Sequence, residues 1–400
     1  MKILIINSGP KPLPAVDGGG VEALIQLIID SVGEEYELTI VSIYSEKAKL
    51  VSRKYPNVKF EYLRLDSIKY KLQLLVYYFF NHFVGIDVGN ALCNQLKYKV
   101  KVSEYDVVIS ENGIRLGKNL RNLCTGKLVL HLHNDWLNTY TKNASLYKSA
   151  YDEIWTISDF LKKRVDAIMG GGATKVLYNG VDTSLFSPSK KSARYRVREK
   201  YGISNSDIVV ANCCRIVEEK GVLQTIKVFK KVQKQYRKQK LKLLIIGDVS
   251  NETPYIHDVK YIANDDVIFT GYVPHDELPY IMGCSDIGIA STIHLKSKYG
   301  KLGYEGVIES FNLTVIEFLA LGIPVIATNS GGMPEILNDD FNENIVNAEE
   351  ENFENDLFDK LLNLLENNAV ENIESKCLQT AARFSKDKYI RQFNDYVKGV

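Results

Sequence analysis

Short, unbroken runs of aliphatic residues recur along the whole chain, and stretches with helical spacing lie between them. In the first half the candidate strands are 2–6, 38–43, 106–109, 127–131, 153–157 and 175–178; in the second they are 207–212, 241–246, 267–269, 286–290 and 324–327. Runs that are continuous rather than alternating belong to strands covered on both faces, and the helices between them supply the crossovers that parallel strands require. The pattern predicts an α/β protein of two doubly wound parallel-sheet, Rossmann-like domains. Length points the same way, because 400 residues exceed what a single core accommodates and suit two domains of about 200 residues each. A Pro and a run of basic residues interrupt the periodicity over 184–198, which is the expected seam.

Charge and cysteine usage narrow the function classes. Fifty Lys and Arg against 49 Asp and Glu leave a net charge of +1, so bulk charge does not make the chain a polyanion binder. The distribution is uneven: 224–242 carries eight bases and no acid, while 338–375 carries twelve acids and one Lys. Within the basic segment Ile226, Phe229, Val232 and Tyr236 keep helical spacing, so the bases decorate an outer face that is either solvated or in contact with an anionic surface. The six Cys include no C-x-x-C pair, which argues against a zinc site or a disulfide framework and favours a reducing compartment. The first apolar run is too short for a signal-peptide core and reads as a strand. No segment reaches the length of apolar residues that spans a bilayer.

Three places can carry chemistry. Gly18-Gly19-Gly20-Val21-Glu22-Ala23 opens a helix after the first strand, and backbone amides at a helix N-terminus suit a phosphate. The letters also match the G-x-G-x-x-A dinucleotide fingerprint, but eleven residues separate Ile6 from Gly18, and that fingerprint needs a tight strand–helix turn. Arg215 and Lys220 follow the first strand of the second half and could converge on one anion at the carboxyl end of a sheet. The third place is the most specific. Glu309 and Glu317 flank the start of a helix that ends at Leu321-Gly322 before Pro324, and the amides near Leu313–Val315 would face a bound phosphate. Val315, Ile316, Phe318 and Leu319 surround Glu317, and an acid in that setting is expected to have a partner.

These pieces together resemble retaining glycosyltransferase family 4, of GT-B fold. The resembling segments are DGGGVE (17–22), YNGVDTSLFSP (178–188), CRIVEEKG (214–221), FTGYVPHDEL (269–278), ESFNLTVIEFLALGIPVIA (309–327) and SGGMPE (330–335). They stand in family order across nearly the whole chain, through the closing ARFSKDKYIRQFNDYV (382–397). The resemblance implies two domains facing across a cleft: an acceptor-side domain over 1–187, a nucleotide-sugar-binding domain over 188–385, and a C-terminal helix over 386–400 crossing back to the first. It implies a nucleotide-diphosphate sugar as donor, UDP-linked, and a glycan or lipid-linked glycan as acceptor, in bacterial surface polysaccharide synthesis. Arg215 and Lys220 would neutralise the diphosphate. Glu309 would hold sugar hydroxyls beside the anomeric carbon, and Glu317 would bind the ribose. Asn312, Leu313 and Thr314 would line the phosphates, with Gly19 and Gly20 closing from the first domain. His133 would face the donor sugar. No metal or other cofactor is implied, and no D-x-D occurs in the chain.

Two departures from the family pattern concern the sugar pocket: Phe311-Asn312 stands for the usual Phe-Gly, and Ala290-Ser291 for Pro-Ser, followed by an insert over 292–308. Asn312-Leu313-Thr314 is also a glycosylation sequon inside the proposed site, which favours a cytoplasmic location. The most apolar stretch of the first domain, Lys69–Ile86, runs apolar nearly all the way round, which favours a helix packed in that domain's core. The other reading is peripheral attachment to the inner face of the plasma membrane, with Tyr, Phe and Leu entering the headgroup boundary beside Lys69 and Lys71. Rival functions are a sugar-nucleotide epimerase or hydrolase of the same fold, a nicotinamide oxidoreductase, and an inactive glycan-binding partner of an active transferase. The oxidoreductase leaves Glu309 and Glu317 unexplained, and the inactive partner requires lost site residues that are all present here.

Overall fold

The structure is a computed structural model that describes residues 1–33, 35–65, 67–79, 91–294, 308–337, 339–366 and 373–399. It divides into two compact units, Met1–Tyr178 with Tyr389–Val400, and Asn179–Lys388. The first holds a sheet of seven strands: β1 (Lys2–Asn7), β2 (Glu37–Ile43), β3 (Val58–Leu63), β4 (Val107–Glu111), β5 (Lys127–Leu132), β6 (Glu153–Thr156) and β7 (Ala173–Val176). Their order is β3-β2-β1-β4-β5-β6-β7, with every pairing parallel. The second unit holds β8 (Ile208–Cys213), β9 (Leu241–Ile246), β10 (Val267–Phe269), β11 (Ile287–Ala290), β12 (Val325–Thr328) and β13 (Ile345–Val346), in the order β10-β9-β8-β11-β12-β13 and again all parallel. The expected fold class, two doubly wound parallel-sheet domains, is therefore observed. In each sheet the order reverses beside the unit's first strand, between β1 and β4 and between β8 and β11, and ligands of open parallel sheets bind at such reversals.

The two faces of the first sheet explain its continuous apolar runs. Ile3 and Ile5 of β1 pack with Leu24, Ile25, Ile28 and Ile29 of the helix Gly20–Ser31, while Leu4 and Ile6 face Leu96, Leu120 and Val165 on the other side. Each fully buried aliphatic side chain contributes about 1.5–3 kcal/mol. The C-terminal helix, Lys386–Lys398, adds Tyr389, Phe393 and Val397 to the first of these layers, at the four-residue spacing that keeps them on one helix face. Its Phe393 ring meets Trp155 edge-on at 6.0 Å.

Two strands went unseen in the sequence. In β3 the residues VKFEYL alternate and only its two ends are buried, as befits an edge strand, so no continuous run marks it. β13 has two residues and no pattern to read. The second unit also begins at Asn179, ahead of the expected 188. Val181 pairs with Ser385 and exchanges backbone hydrogen bonds of 2.8 and 2.9 Å with Phe384 and Lys386, and Phe186 is buried against His275. Pro188 thus marks the start of a 3-10 turn, Pro188–Ala193, and not a seam.

The uneven charge has an internal explanation. The basic helix Val222–Gln235 packs on the acidic helix Glu350–Glu366, with Lys227 and Lys231 at 3.5 and 2.9 Å from Glu354. Core packing of the apolar stretch does not hold for its described part. In the helix Ile68–Phe79 only Tyr70 is buried among the described side chains, whereas Ile68, Leu72, Leu74, Leu75, Val76 and Phe79 are exposed. A helix apolar all round buries one face at most when it packs on a single side. The rest of the stretch, 80–86, lies outside the described residues. Among those residues no helix is long and apolar enough to cross a membrane.

Candidate functional site

In the second unit the residues singled out from sequence gather at the carboxyl ends of β8 and β11. After β8 the chain runs through Cys214 and Arg215 to a 3-10 turn, Glu218–Lys220, and Gly221 then opens the helix Val222–Gln235. Gly221 has φ +61°, and a Cβ there would lie 2.3 Å from the carbonyl oxygen of Ser291, so the turn can press against β11 only with glycine in this place. The Ser291 hydroxyl donates to the Lys220 carbonyl at 2.7 Å and accepts from Asn212 at 2.8 Å, which ties the turn to both strand ends.

This places the Lys220 ammonium against the Glu309 carboxylate, with side chains only 17% and 15% exposed. The Thr292 hydroxyl donates to the same carboxylate at 3.0 Å and the Asn312 amide reaches it at 3.4 Å. Ser330 accepts the Glu309 amide at 3.1 Å and also meets His294 at 3.0 Å. Gly331 must approach closely as well, since a Cβ at its φ of +56° would fall 2.1 Å from the Glu309 carbonyl oxygen. Arg215 and Lys220 have separate carboxylate partners: Arg215, three-quarters exposed, lies 3.8 Å from Glu219.

Asn312 takes an extended conformation and caps the helix Leu313–Ala320, its side-chain oxygen accepting from the Val315 amide at 3.3 Å. Of the three amides proposed for phosphate, Val315 is therefore taken by the cap. Leu313 and Thr314, in the first turn, have no intrahelical acceptor, and no other acceptor for their amides is found among the described residues. Glu317 lies on the buried face of this helix, and no partner for it is found among the described residues. Burial alone pushes its carboxyl up to about 7, so below that pH the group avoids a buried charge by holding a proton.

In the first unit Gly19 and Gly20 lie where the loop after β1 enters the helix Gly20–Ser31. Within the first turn, Glu22 is buried, hydrogen-bonded to Asn7 at 3.4 Å, and its carboxyl is raised by that burial. His133 follows β5, and its backbone N–H donates to Asn112 at 2.8 Å. Its Nε2 lies 2.6 Å from Oε2 of Glu111, the last residue of β4, and Nδ1 of His131 lies 3.1 Å from the same oxygen. All three side chains are buried. Although burial alone would raise Glu111, the two imidazoles hold it down to about 2, while burial and His131 lower His133 to about 4. The carboxylate is thus ionised and His133 neutral. Among the described residues this is the group whose donor atoms lie close enough together for a metal ion, within 4.8 Å. Direct hydrogen bonds already occupy the facing atoms.

Glu111, His131, Thr292, His294 and Ser330 were not foreseen. Glu111, Thr292 and Ser330 share a signal that was available: each stands in a polar step at or just after the carboxyl end of a buried run.

The profile of the family described as glycosyl transferases group 1 matches residues 194–384. YtcC of Bacillus subtilis, which carries a glycosyltransferase name, is 25% identical over 84% of this chain and 77% of its own. A GDP-mannose-dependent alpha-(1-6)-phosphatidylinositol monomannoside mannosyltransferase of Mycolicibacterium smegmatis is 29% identical over 47% of each chain. Among solved structures, Anabaena HepE in complex with UDP-glucose superposes with a TM-score of 0.73 over the whole of both chains, at 19% identity. Residues 194–384 are thus similar to the glycosyl transferases of group 1, and the fold of the chain is the GT-B architecture.

Proposed function

We propose that the protein is a retaining hexosyltransferase, moving a hexose from a UDP-linked donor to a glycan or lipid-linked glycan acceptor in bacterial surface polysaccharide synthesis, without metal or other cofactor. The observation that carries this reading is the Lys220–Glu309 pair, set at the carboxyl end of a parallel sheet beside the unused amides of Leu313 and Thr314. An ammonium and two oriented N–H groups suit a departing diphosphate, and Arg215 adds a second cation. Cleavage of the sugar–oxygen bond leaves its electron pair on the phosphate. The acceptor oxygen then bonds the anomeric carbon from the same face and gives its proton to that phosphate oxygen.

Glu309 accepts from Lys220, Thr292 and Asn312, which spreads its charge and suits it to holding sugar hydroxyls rather than to attacking carbon. Glu317 takes the ribose. On the first unit, His133, Gly19 and Gly20 serve the sugar and its phosphates. Attachment to the inner face of the plasma membrane, from the cytoplasm, runs through the exposed apolar residues of the helix Ile68–Phe79.

The test is a panel of UDP- and GDP-linked sugars, with free nucleotide measured with and without glycan acceptors and in excess EDTA. Acceptor-dependent release of UDP that survives EDTA is the expected result. Release without an acceptor would make the protein a hydrolase, GDP release would change the donor, and loss in EDTA restored by added metal would end the metal-independent scheme.

A further inference from the structure

The Glu111–His131–His133 cluster contains more than the proposed reaction uses. Two imidazoles point N–H groups at one carboxylate oxygen, at 3.1 and 2.6 Å, and their rings lie 4.1 Å apart. An ionised carboxylate only accepts, so each nitrogen facing it must carry a proton: Nδ1 in His131 and Nε2 in His133. In His133, which is neutral, the opposite nitrogen, Nδ1, is then a lone pair. Among the described residues this Nδ1, His131 Nε2, Glu111 Oε1 and the hydroxyl of Tyr389 are buried without a hydrogen-bond partner. A buried polar atom without a partner calls for a ligand or a water. Among the described residues the other ionisable groups that sense Glu111 are Tyr389 and Glu22, and neither supplies a cation.

We propose that Glu111 is a positioning residue: its carboxylate fixes His133 in the tautomer protonated on Nε2, so that Nδ1 offers a lone pair to a proton donor on the sugar, a hydroxyl or an acetamido N–H. This inference rests on the proposed role of His133 toward the sugar. A phosphate or carboxylate oxygen has no proton to give at neutral pH, so a lone pair at Nδ1 selects the sugar and rejects the diphosphate. Glutamine at position 111 would offer one accepting oxygen and an N–H pair in place of the second. His133 could then exchange tautomers, and in one of them Nδ1–H would meet the sugar donor head-on.

The experiment reads the tautomer directly by two-bond nitrogen–proton correlation on ¹⁵N-histidine-labelled protein, with the His133 signals assigned from His133→Gln. In wild type, His133 should carry its proton on Nε2 alone. In Glu111→Gln the two tautomers should mix. The turnover number should fall about 10- to 100-fold, the effect of losing one charge-assisted hydrogen bond, with the KM for the nucleotide sugar within about twofold. Deoxy-sugar donors lacking the recognised hydroxyl should lower wild type to the level of Glu111→Gln and lower the variant little further.

Protonation of wild-type His133 on Nδ1 or on both nitrogens would overturn the proposal. So would retention of the wild-type tautomer in Glu111→Gln, whatever its turnover. If Glu111→Gln fails to fold, the wild-type spectrum decides. If no nucleotide sugar is turned over, the transferase reading falls while the tautomer result still stands or fails by itself.

Discussion

Replacing Glu309 by Gln should slow sugar transfer yet tighten the binding of free UDP. The Lys220 ammonium is committed to Glu309, and both side chains are more than four-fifths buried. At an effective dielectric of about 20, opposite charges attract by about 4 kcal/mol at 4 Å. Desolvation of both groups offsets most of that, leaving a net of about 1–2 kcal/mol for such a half-sheltered pair. A diphosphate must share or displace this partner. Glu309→Gln removes the competing charge while keeping a hydrogen-bonding group of the same shape, so UDP should bind about 5- to 30-fold more tightly. Lys220→Ala does the reverse: it deletes the cation and leaves Glu309 facing the incoming anion, for a loss of about 2–4 kcal/mol, or about 30- to 1000-fold. Titration calorimetry with UDP at a fixed ionic strength of about 0.15 M measures both, and the fixed salt matters because these charges are partly screened. If Glu309→Gln weakens UDP as much as Lys220→Ala does, the carboxylate touches the nucleotide, and the assignment of Glu309 to the sugar is wrong.

Two further outcomes follow from burial. Between pH about 4.5 and 7 native Glu317 keeps a proton that the unfolded chain has lost, so stability should fall by about 3 kcal/mol as pH rises through that window, and Glu317→Gln should flatten the profile and exceed wild type at pH 8 in chemical denaturation; a flat wild-type profile refutes the buried, protonated acid. Wild type should float with anionic liposomes at low salt, while Leu72→Ser/Leu75→Ser stays in the soluble fraction; flotation of both would remove the helix Ile68–Phe79 from any membrane contact.

Sequence disclosed the strands with buried faces and the residues that local rules govern. The limits of β9 and β10 match their apolar runs, because residues covered on both faces of a sheet are nearly all apolar; Lys242 in β9 is the exception and pairs with Asp266 at 2.7 Å. The helix after Asn312 was legible for a similar reason, with a capping residue at one end and Gly322 and Pro324 beyond the other. Edge strand β3 escaped because its outward side chains are polar, and the Asn179 boundary escaped because it rests on a bridge from Val181 to Ser385, 204 positions away. The face of the helix Ile68–Phe79 was misjudged because composition reports how apolar a helix is and not what lies against it.

The site divides along the same line. Glu309, Lys220 and Glu317 could be found because each occupies a place in a local motif, but what each does depends on partners that no local rule supplies. Lys220 and Glu309 are 89 residues apart, and His133 and Glu111 are 22 apart; both pairs meet because parallel strands deliver their carboxyl ends to one edge of the sheet. Glu317 shows the converse. A partner was expected for it because a buried charge needs one, and burial meets the same electrostatic demand by raising the acid's hold on its proton. Parallel topology therefore sets where polar residues collect, and the surroundings within each cluster set how an acid there titrates: two imidazoles hold Glu111 down, while Glu317, buried alone, is pushed up to about 7. Reading a site of this kind from sequence requires asking, for every acid or imidazole just past a buried strand, which other strand end the sheet order brings beside it.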